Sequence, residues 1–406
     1  MHSTLSISAG IGGTCNFPIH PICPIKRTPP HSLTGTPGTR TSGLQEALDG
    51  AKRQAKDVYI AGGSWTADQT QPVVYVLTET LRVPWMQNFR LDSGHCVIHY
   101  ASKTGDAVVF DSQMSCSYRF GIIVSESDGA VVRLAPQTEG PDRFSVLTTT
   151  DFHFNALVGG GGAWPGGEAY DSNLDPKHRW IGVGLWLDGA KGPIDSIRID
   201  ATEIVGCDRG LFVSGACTHS TVDVTIAHLC NTHLQIGTAD DDRVRENRFA
   251  AHMESEGIEG SVGARIFGSH NLFTLSAGRM SQNNDIVFEA PAADNLVVGV
   301  RLPHGVTNHA TRPTNRILTS EMAGFRIDTP EVPASGDAVV NRHPFNVVVQ
   351  ILDAGRIRQW SESDAAGTAH TFAAPLSIGQ SLLLGPGSSL RLEYDQPPRW
   401  VWKSLP

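Results

Sequence analysis

Charged side chains are sparse in this sequence: Lys, Arg, Asp and Glu supply 18% of 406 residues, and the net charge is −9. Basic runs never exceed two or three residues, so the clustered Lys and Arg that phosphate binding needs are missing and nucleic acid is excluded as a partner. No apolar stretch reaches membrane-spanning length, so no membrane partner is expected. The opening MHSTLSISAGIGGTCNFP lacks a basic start and a continuous apolar core, so no clear signal peptide is read there. A soluble chain that acts outside the cell would then leave by another route or by lysis. The seven cysteines contain no CxxC pair and are odd in number, which argues against a disulfide framework. The sixteen histidines form neither HxH nor HExxH. GGGG at 159–162 is followed neither by Lys-Ser/Thr nor by a helix, so no phosphate loop is present. No cofactor and no metal site is therefore expected.

Glycine (42) and proline (24) are abundant instead, which favours many short strands joined by turns. Residues 1–40, rich in Pro, Gly, Ser and Thr, read as an irregular arm. A helix is expected from Ser42, with Ser42 and Gln45 as a capping box and Leu44, Leu48, Ala51 and Ala55 on one face. A strand, Val58-Tyr-Ile, and a Gly-Gly turn follow.

From about residue 73 short apolar strands recur: AVVF at 107, AVVRL at 130, GLWL at 184, GLFV at 210, HLQI at 233, ARIF at 264 and DIVF at 285. The steps between them are 23, 54, 26, 23, 31 and 21 residues, and each strand is followed by a turn and a second strand. Such a period predicts a solenoid, because one coil cannot bury its own apolar face. With no helical pattern in the repeat, the coils must stack as parallel strands. Asp208, Asn231 and Asn284 would sit in the bends, and Cys207 and Cys230 would stack as thiols in the core. The long step holds an insertion, 157–180, with six glycines, Trp164, Tyr170 and Trp180; solenoid insertions gather on one face and wall a groove. Residues 342–406 change to alternating strands without a coil-length repeat.

An amphipathic helix, a VYI-Gly-Gly strand and coils of this length resemble the pectate-lyase-like superfamily of polysaccharide-active enzymes and phage tailspike-like proteins. The resemblance covers roughly residues 41–320. It implies an all-β chain: a right-handed single-stranded parallel β-helix over 41–325, capped by the helix at its open end, then a small C-terminal β-domain over 326–406. Pro386, Gly387, Pro398, Trp400 and Trp402 match the Pro-Gly turn and closing Pro-x-Trp-x-Trp of phage tail modules, which implies a homotrimer. The implied partner is a polysaccharide or oligosaccharide. RPTNR at 312–316 and GSH at 268–270 depart from the lyase and polygalacturonase motifs, so those roles do not transfer.

Glycoside cleavage needs two carboxyl groups flanking the scissile bond. The acid-rich run 238–259 supplies them: the expected catalytic pair is Asp241 or Asp242 with Glu254 or Glu256. If Ile199, Val224 and Asn247 share a position, then Glu203, His228 and Ala251/His252 adjoin one another on successive coils, with Arg209 in the turn after Glu203. Trp164, Tyr170 and Trp180 are the expected sugar-stacking side chains. A glycoside hydrolase or fructotransferase-like enzyme is the leading expectation. The alternatives are a polysaccharide lyase, in which calcium could lie at Asp240–Asp242, a tailspike-like glycan-binding or depolymerase protein, and a purely structural solenoid.

Overall fold

The computed structural model describes residues 4–7, 39–60, 73–137, 145–160, 180–241, 243–255, 259–278, 284–319 and 327–405. Two thirteen-stranded sheets run along the chain, and every pairing inside them is parallel. Strands Ser117–Ser125, Asp151–Val158, Arg198–Val205, Thr221–His228, Arg248–Glu254, Leu272–Gly278, Leu296–Arg301 and Arg316–Thr319 stack in sequence order in the first sheet. Strands Leu81–Val83, Val108–Phe110, Ala130–Leu134, Val183–Asp195, Arg209–Thr218, Thr232–Ile236, Val262–Ile266, Ile286–Phe288 and Val306–Asn308 stack in the second. The chain is a right-handed parallel β-helix.

Stacking identical positions builds the core. Tyr118 pairs in register with Phe152 and stacks on it at 5.2 Å; Phe120 does the same with Phe154 at 5.8 Å, and Phe249 with Phe273 at 5.3 Å. One apolar cluster runs from Leu44 to Ile317 through the interior. Cys207 and Cys230 lie fully buried as free thiols on adjacent coils.

At one corner successive coils turn through a residue with positive φ, among them Thr149, Ser196, His219, Glu246, His270 and Asp294. The next residue points inward. In the last coils it is Asn247, Asn271, Asn295 and Asn315, each nearly fully buried. The Asn247, Asn271 and Asn295 amides donate to the side-chain oxygen of the next asparagine at 3.0, 3.0 and 3.2 Å. This ladder satisfies polar groups that would otherwise be costly in the core. At the opposite corner Asn231 Nδ2 donates to Asp208 Oδ1 at 2.9 Å across one coil step.

The helix Leu44–Gln54 covers the open end. Its face of Leu44, Ala47, Leu48 and Ala51 is buried, but its start differs from the sequence expectation. Gly43 at φ 83° is the N-cap, and no side chain caps it. Ser42 instead donates its hydroxyl to the Val76 carbonyl at 2.6 Å, because it lies buried against the solenoid edge. Gln45 acts as a surrogate peptide: its side-chain amide gives and receives 2.9 Å bonds with the backbone of Arg82 on strand Leu81–Val83. The exposed strand edge is thereby covered.

Residues after the last coil form two antiparallel sheets. Ala338–Val340, Ser389–Gln396, Arg356–Ser363 and Ala369–Phe372 make the first; Ser381–Leu384, Asn346–Asp353 and Arg399–Leu405 make the second. Val347, Val349, Trp360, Leu384, Leu390, Trp400 and Trp402 share a separate core. The module closes the far end of the solenoid: Ile317 N–H donates to the Pro344 carbonyl at 2.8 Å and Arg316 Nη1 to the Pro386 carbonyl at 3.1 Å.

Candidate functional site

A groove of about 430 Å³ lies on the outer face of the second sheet, over its first coils. Its walls carry Arg82, Asp106, Asp111, Arg133, Asp188 and Lys191. Register places Arg82, Val109, Arg133, Trp186 and Phe212 in one outward column on consecutive coils. Strands about 4.8 Å apart bring such a column into contact. The Arg133 guanidinium carbon lies 4.0 Å from the Trp186 ring centroid; Trp186 stacks on Phe212 at 5.4 Å; Arg209 sits 4.5 Å above Phe212. Cation, indole and phenyl thus follow one another along the solenoid axis, and a second cation from the last of these strands covers the phenyl ring.

Arg133 is held from both sides. Its Nε and Nη2 donate to Asp188 Oδ2, the former at 3.0 Å, and its Nη1 donates to Asp106 Oδ2 at 3.1 Å. Burial alone would lower its pKa, but the bonds and charges of Asp188 and Asp106 outweigh that effect and raise it. Each carboxylate is anchored by its second oxygen: Asp106 Oδ1 accepts the Ala130 N–H at 2.8 Å, and Asp188 Oδ1 accepts the Ala190 N–H at 3.1 Å. Lys191 projects from a bulge between Gly189 and Ile194 and donates to Gln137 Oε1 at 3.1 Å. The result is a polar floor with fixed donors and acceptors, suited to hydroxyl groups.

Of the described residues expected from sequence, none is among those lining this groove, and Arg209 reaches only the Phe212 ring at the end of the outward column. Asp241 sits in the loop before strand Val244–Arg245 and forms a two-pronged pair with Arg243, Nε to Oδ1 and Nη2 to Oδ2 both at 2.8 Å. The Arg243 bonds hold its carboxyl below the usual range. Both carboxylate oxygens thus accept from the same guanidinium. Glu254 ends strand Arg248–Glu254 at a different corner of the coil, 3.8 Å from His252 Nε2. Asp242, Glu256, Trp164 and Tyr170 lie outside the described residues.

The coil alignment also needs correction. Ile199 pairs with Val222, not Val224, and Val222 pairs with Phe249, not Asn247. Glu203 consequently adjoins Ile226, while His228 adjoins Val205 and Glu254. The displacement is an even number of residues, so each side chain keeps its face but moves about 6.6 Å along the strand. Unequal coil lengths cause it; the register shift between Val224 and Ala227 lies beyond these pairs. His252 lies beside Ser276, its Nδ1 2.8 Å from the hydroxyl. Trp180 donates its indole N–H to the Leu229 carbonyl at 2.9 Å, a structural bond at the corner.

Outside the groove, His219 bridges two carboxylates on the positive-φ corner, with Nδ1 2.8 Å from Asp195 and Nε2 2.8 Å from Glu246. Among the described residues no three His, Cys, Asp or Glu converge as metal ligands would. No described helix is long and apolar enough to cross a membrane.

No family model and no curated protein matches the sequence. Among solved structures, the chain is similar to full-length tailspike protein 2 from Escherichia coli O157:H7 bacteriophage CAB120, with a TM-score of 0.29 and 10% identity. The match covers 94% of this chain and 63% of that one, so the chain spans less than two thirds of the tailspike's length.

Proposed function

We propose that the chain is a tailspike-like glycan-binding protein whose sugar site is the groove over Asp106, Arg133 and Asp188. The observation that carries this reading is Arg133 itself. Charged groups taken partly out of water are costly, and well-packed apolar side chains serve stability as well or better. Here one guanidinium and two carboxylates are nonetheless fixed at the floor of a concave surface. Fixed, planar, multidentate partners are what recognition of ring hydroxyls requires. Within the groove three cations face three carboxylates, a balance that places directional hydrogen bonds above net charge.

Cleavage of the bound chain is a further step in the same reading. Asp106 and Asp188 are both tied to Arg133 and to backbone amides, so they serve to position the guanidinium. Calorimetric titration with a panel of neutral and acidic oligosaccharides tests binding, and assay of new reducing ends tests cleavage. Binding is expected to fall at least tenfold in Arg133→Ala. A ligand whose affinity is unchanged in Arg133→Ala removes the groove from the reading.

A further inference from the structure

Arg133 meets Asp188 through a fixed offset. Trp186 is the register partner of Arg133 on the next coil, and Asp188 lies two residues beyond Trp186. The same offset recurs farther along the outward column. From Trp186 the column continues through Phe212 and Gln235 to Arg265, one residue per coil. Ala264 and Ile266, on either side of Arg265, belong to the core, so the Arg265 side chain faces out. Val287 is its register partner on the next coil, and Glu289, two residues beyond Val287, lies 3.4 Å from Arg265 Nε. Glu289 in turn lies 3.3 Å from His309 Nδ1, at the strand end one coil farther on. An arginine and a carboxylate are thus set twice on this face at the same relative positions, four coil steps or about 19 Å apart.

The second cluster keeps more of its donors open. Arg133 commits Nε, Nη1 and Nη2 to Asp106 and Asp188. Arg265 meets Glu289 through Nε, and its two Nη groups, which carry four of the five guanidinium donors, make no hydrogen bond to a described residue. Glu289 holds the guanidinium from one side while His309 holds Glu289 from the other, so a fixed acceptor stands beside free donors. Stability does not account for the repeat, because ion pairs this open to water contribute little to it. Between the clusters the column is Trp186, Phe212 and Gln235, which supply rings and an amide. A chain of sugar rings laid along the axis would meet the fixed polar groups around Arg133, then apolar faces, then free donors. A sugar residue in an extended glycan advances by roughly one coil step, so about five sugars reach from Arg133 to Arg265.

We propose that Arg265, Glu289 and His309 form a second glycan subsite in line with the groove at Arg133, so that one linear sugar chain occupies both. The subsite rests on the glycan-binding reading and extends it to a ligand class: the interior of a linear glycan, about five sugars or more, and not a single terminal sugar. Once a chain spans both clusters its second contact is effectively intramolecular, and affinity rises steeply with length. Titration calorimetry of the full chain with size-graded neutral and acidic oligosaccharides, the cello-, chito- and galacturono- series, tests it. For a series that binds, affinity should rise at least tenfold between about three and about six sugars. Arg265→Ala should abolish that rise and leave the affinity for the shortest bound member unchanged, which a merely structural arginine would not do. His309→Ala, at an exposed side chain, should reduce the rise and keeps the test if Arg265→Ala alters the circular dichroism spectrum. A rise that persists in full in both variants, or a wild type whose affinity does not change with length, overturns the subsite. The groove reading survives that result as long as Arg133→Ala still weakens binding of the short members. Short-member binding that is unchanged in Arg133→Ala, or a wild type that binds no member of any series, removes the groove and the subsite together.

Discussion

Arg133 and Trp186 lie face to face on adjacent coils, the guanidinium carbon 4.0 Å from the ring centroid. The indole N–H is fixed at 2.9 Å to the Ser214 hydroxyl, so the ring cannot turn without losing a bond. Ring, guanidinium and the two aspartates form one unit. Arg133→Lys keeps the charge but loses the fork that Asp188 accepts. We expect Arg133→Lys to weaken glycan binding about as much as Arg133→Ala, measured by titration calorimetry, because a point charge cannot reproduce the planar contacts.

Asp188 is 6% exposed, and its only ion pair among the described residues is with Arg133. Removing the guanidinium strands that carboxylate. Arg133→Met is predicted to cost about 3 kcal/mol, and Arg133→Met with Asp188→Leu to recover most of it. A thermal-melt double-mutant cycle reads the difference. Additive losses in the two single variants would mean that the pair is not coupled.

Much of the fold was legible in the sequence, and particular residues show why the site was not. The strand starts at 184, 210 and 233 align in the structure as they do in the repeat, because apolar strands of one face must stack. Register along the first sheet was not legible: turn lengths differ from coil to coil, and the shift between Val224 and Ala227 has no sequence mark. The asparagine ladder did leave a mark. ENRF, HNLF, DNLV and TNRI at 246, 270, 294 and 314 repeat an asparagine before each first-sheet strand. Attention to polar residues at the opposite corner, Asp208 and Asn231, hid it. The groove was also marked, by Arg133, Trp186 and Phe212 at equivalent places in AVVRL, GLWL and GLFV. Searching for clustered acids passed over them, because the two aspartates come together only through stacking, 82 positions apart in sequence.

The ladder gives a stability prediction. Asn271 receives a bond from Asn247, donates through its amide to Asn295, and donates its Nδ2 to the Val244 carbonyl at 3.2 Å. Asn271→Ala leaves buried partners unsatisfied and is expected to cost about 2–4 kcal/mol, since each stranded group costs about 1–3. Asn271→Asp should be less damaging to the acceptor role yet still lose the Nδ2 bond. Urea titration at matched protein concentration measures both.

His233 provides a pH prediction. Its ring is fully buried, with Nδ1 and Nε2 at 2.9 and 3.0 Å from the carbonyl oxygens of Val262 and Glu254. Burial drives it towards the neutral form and lowers its pKa below the ordinary 6.5, outweighing the two carbonyls that favour the proton. A group with a depressed folded pKa binds more protons when unfolded, so its contribution is present above 6.5 and is lost as pH falls below it. The melting temperature should therefore drop between pH 7 and 5, and His233→Gln should flatten that drop. His219 has the opposite sign. The bond to Asp195, chiefly, raises its pKa, so the linkage is complete at low pH and fades as pH rises through the raised value. Proton NMR should show its ring titrating above 6.5, and lower again in Asp195→Asn.

Gly215 ties the backbone to the groove. It adopts φ 73°, and a Cβ there would lie 2.2 Å from the Gly189 backbone on the coil beneath. The close approach of these two residues lets strand Val183–Asp195 leave register after Gly189 and bulge outward with Lys191. Gly215 N–H also bonds the Asp241 carboxylate, so the same turn fixes the neighbouring loop. Gly215→Ala must push two coils apart, and neither backbone can yield alone. Gly367 provides the comparison, with φ 89° and open space around its Cβ position. Gly367→Ala should cost about 1 kcal/mol from backbone strain alone and leave glycan binding intact. Gly215→Ala should cost clearly more in thermal melting and also weaken binding, because Lys191 and the Asp188–Ala190 turn move with the bulge. Equal costs for the two variants, or intact binding in Gly215→Ala, would show that the bulge does not shape the groove.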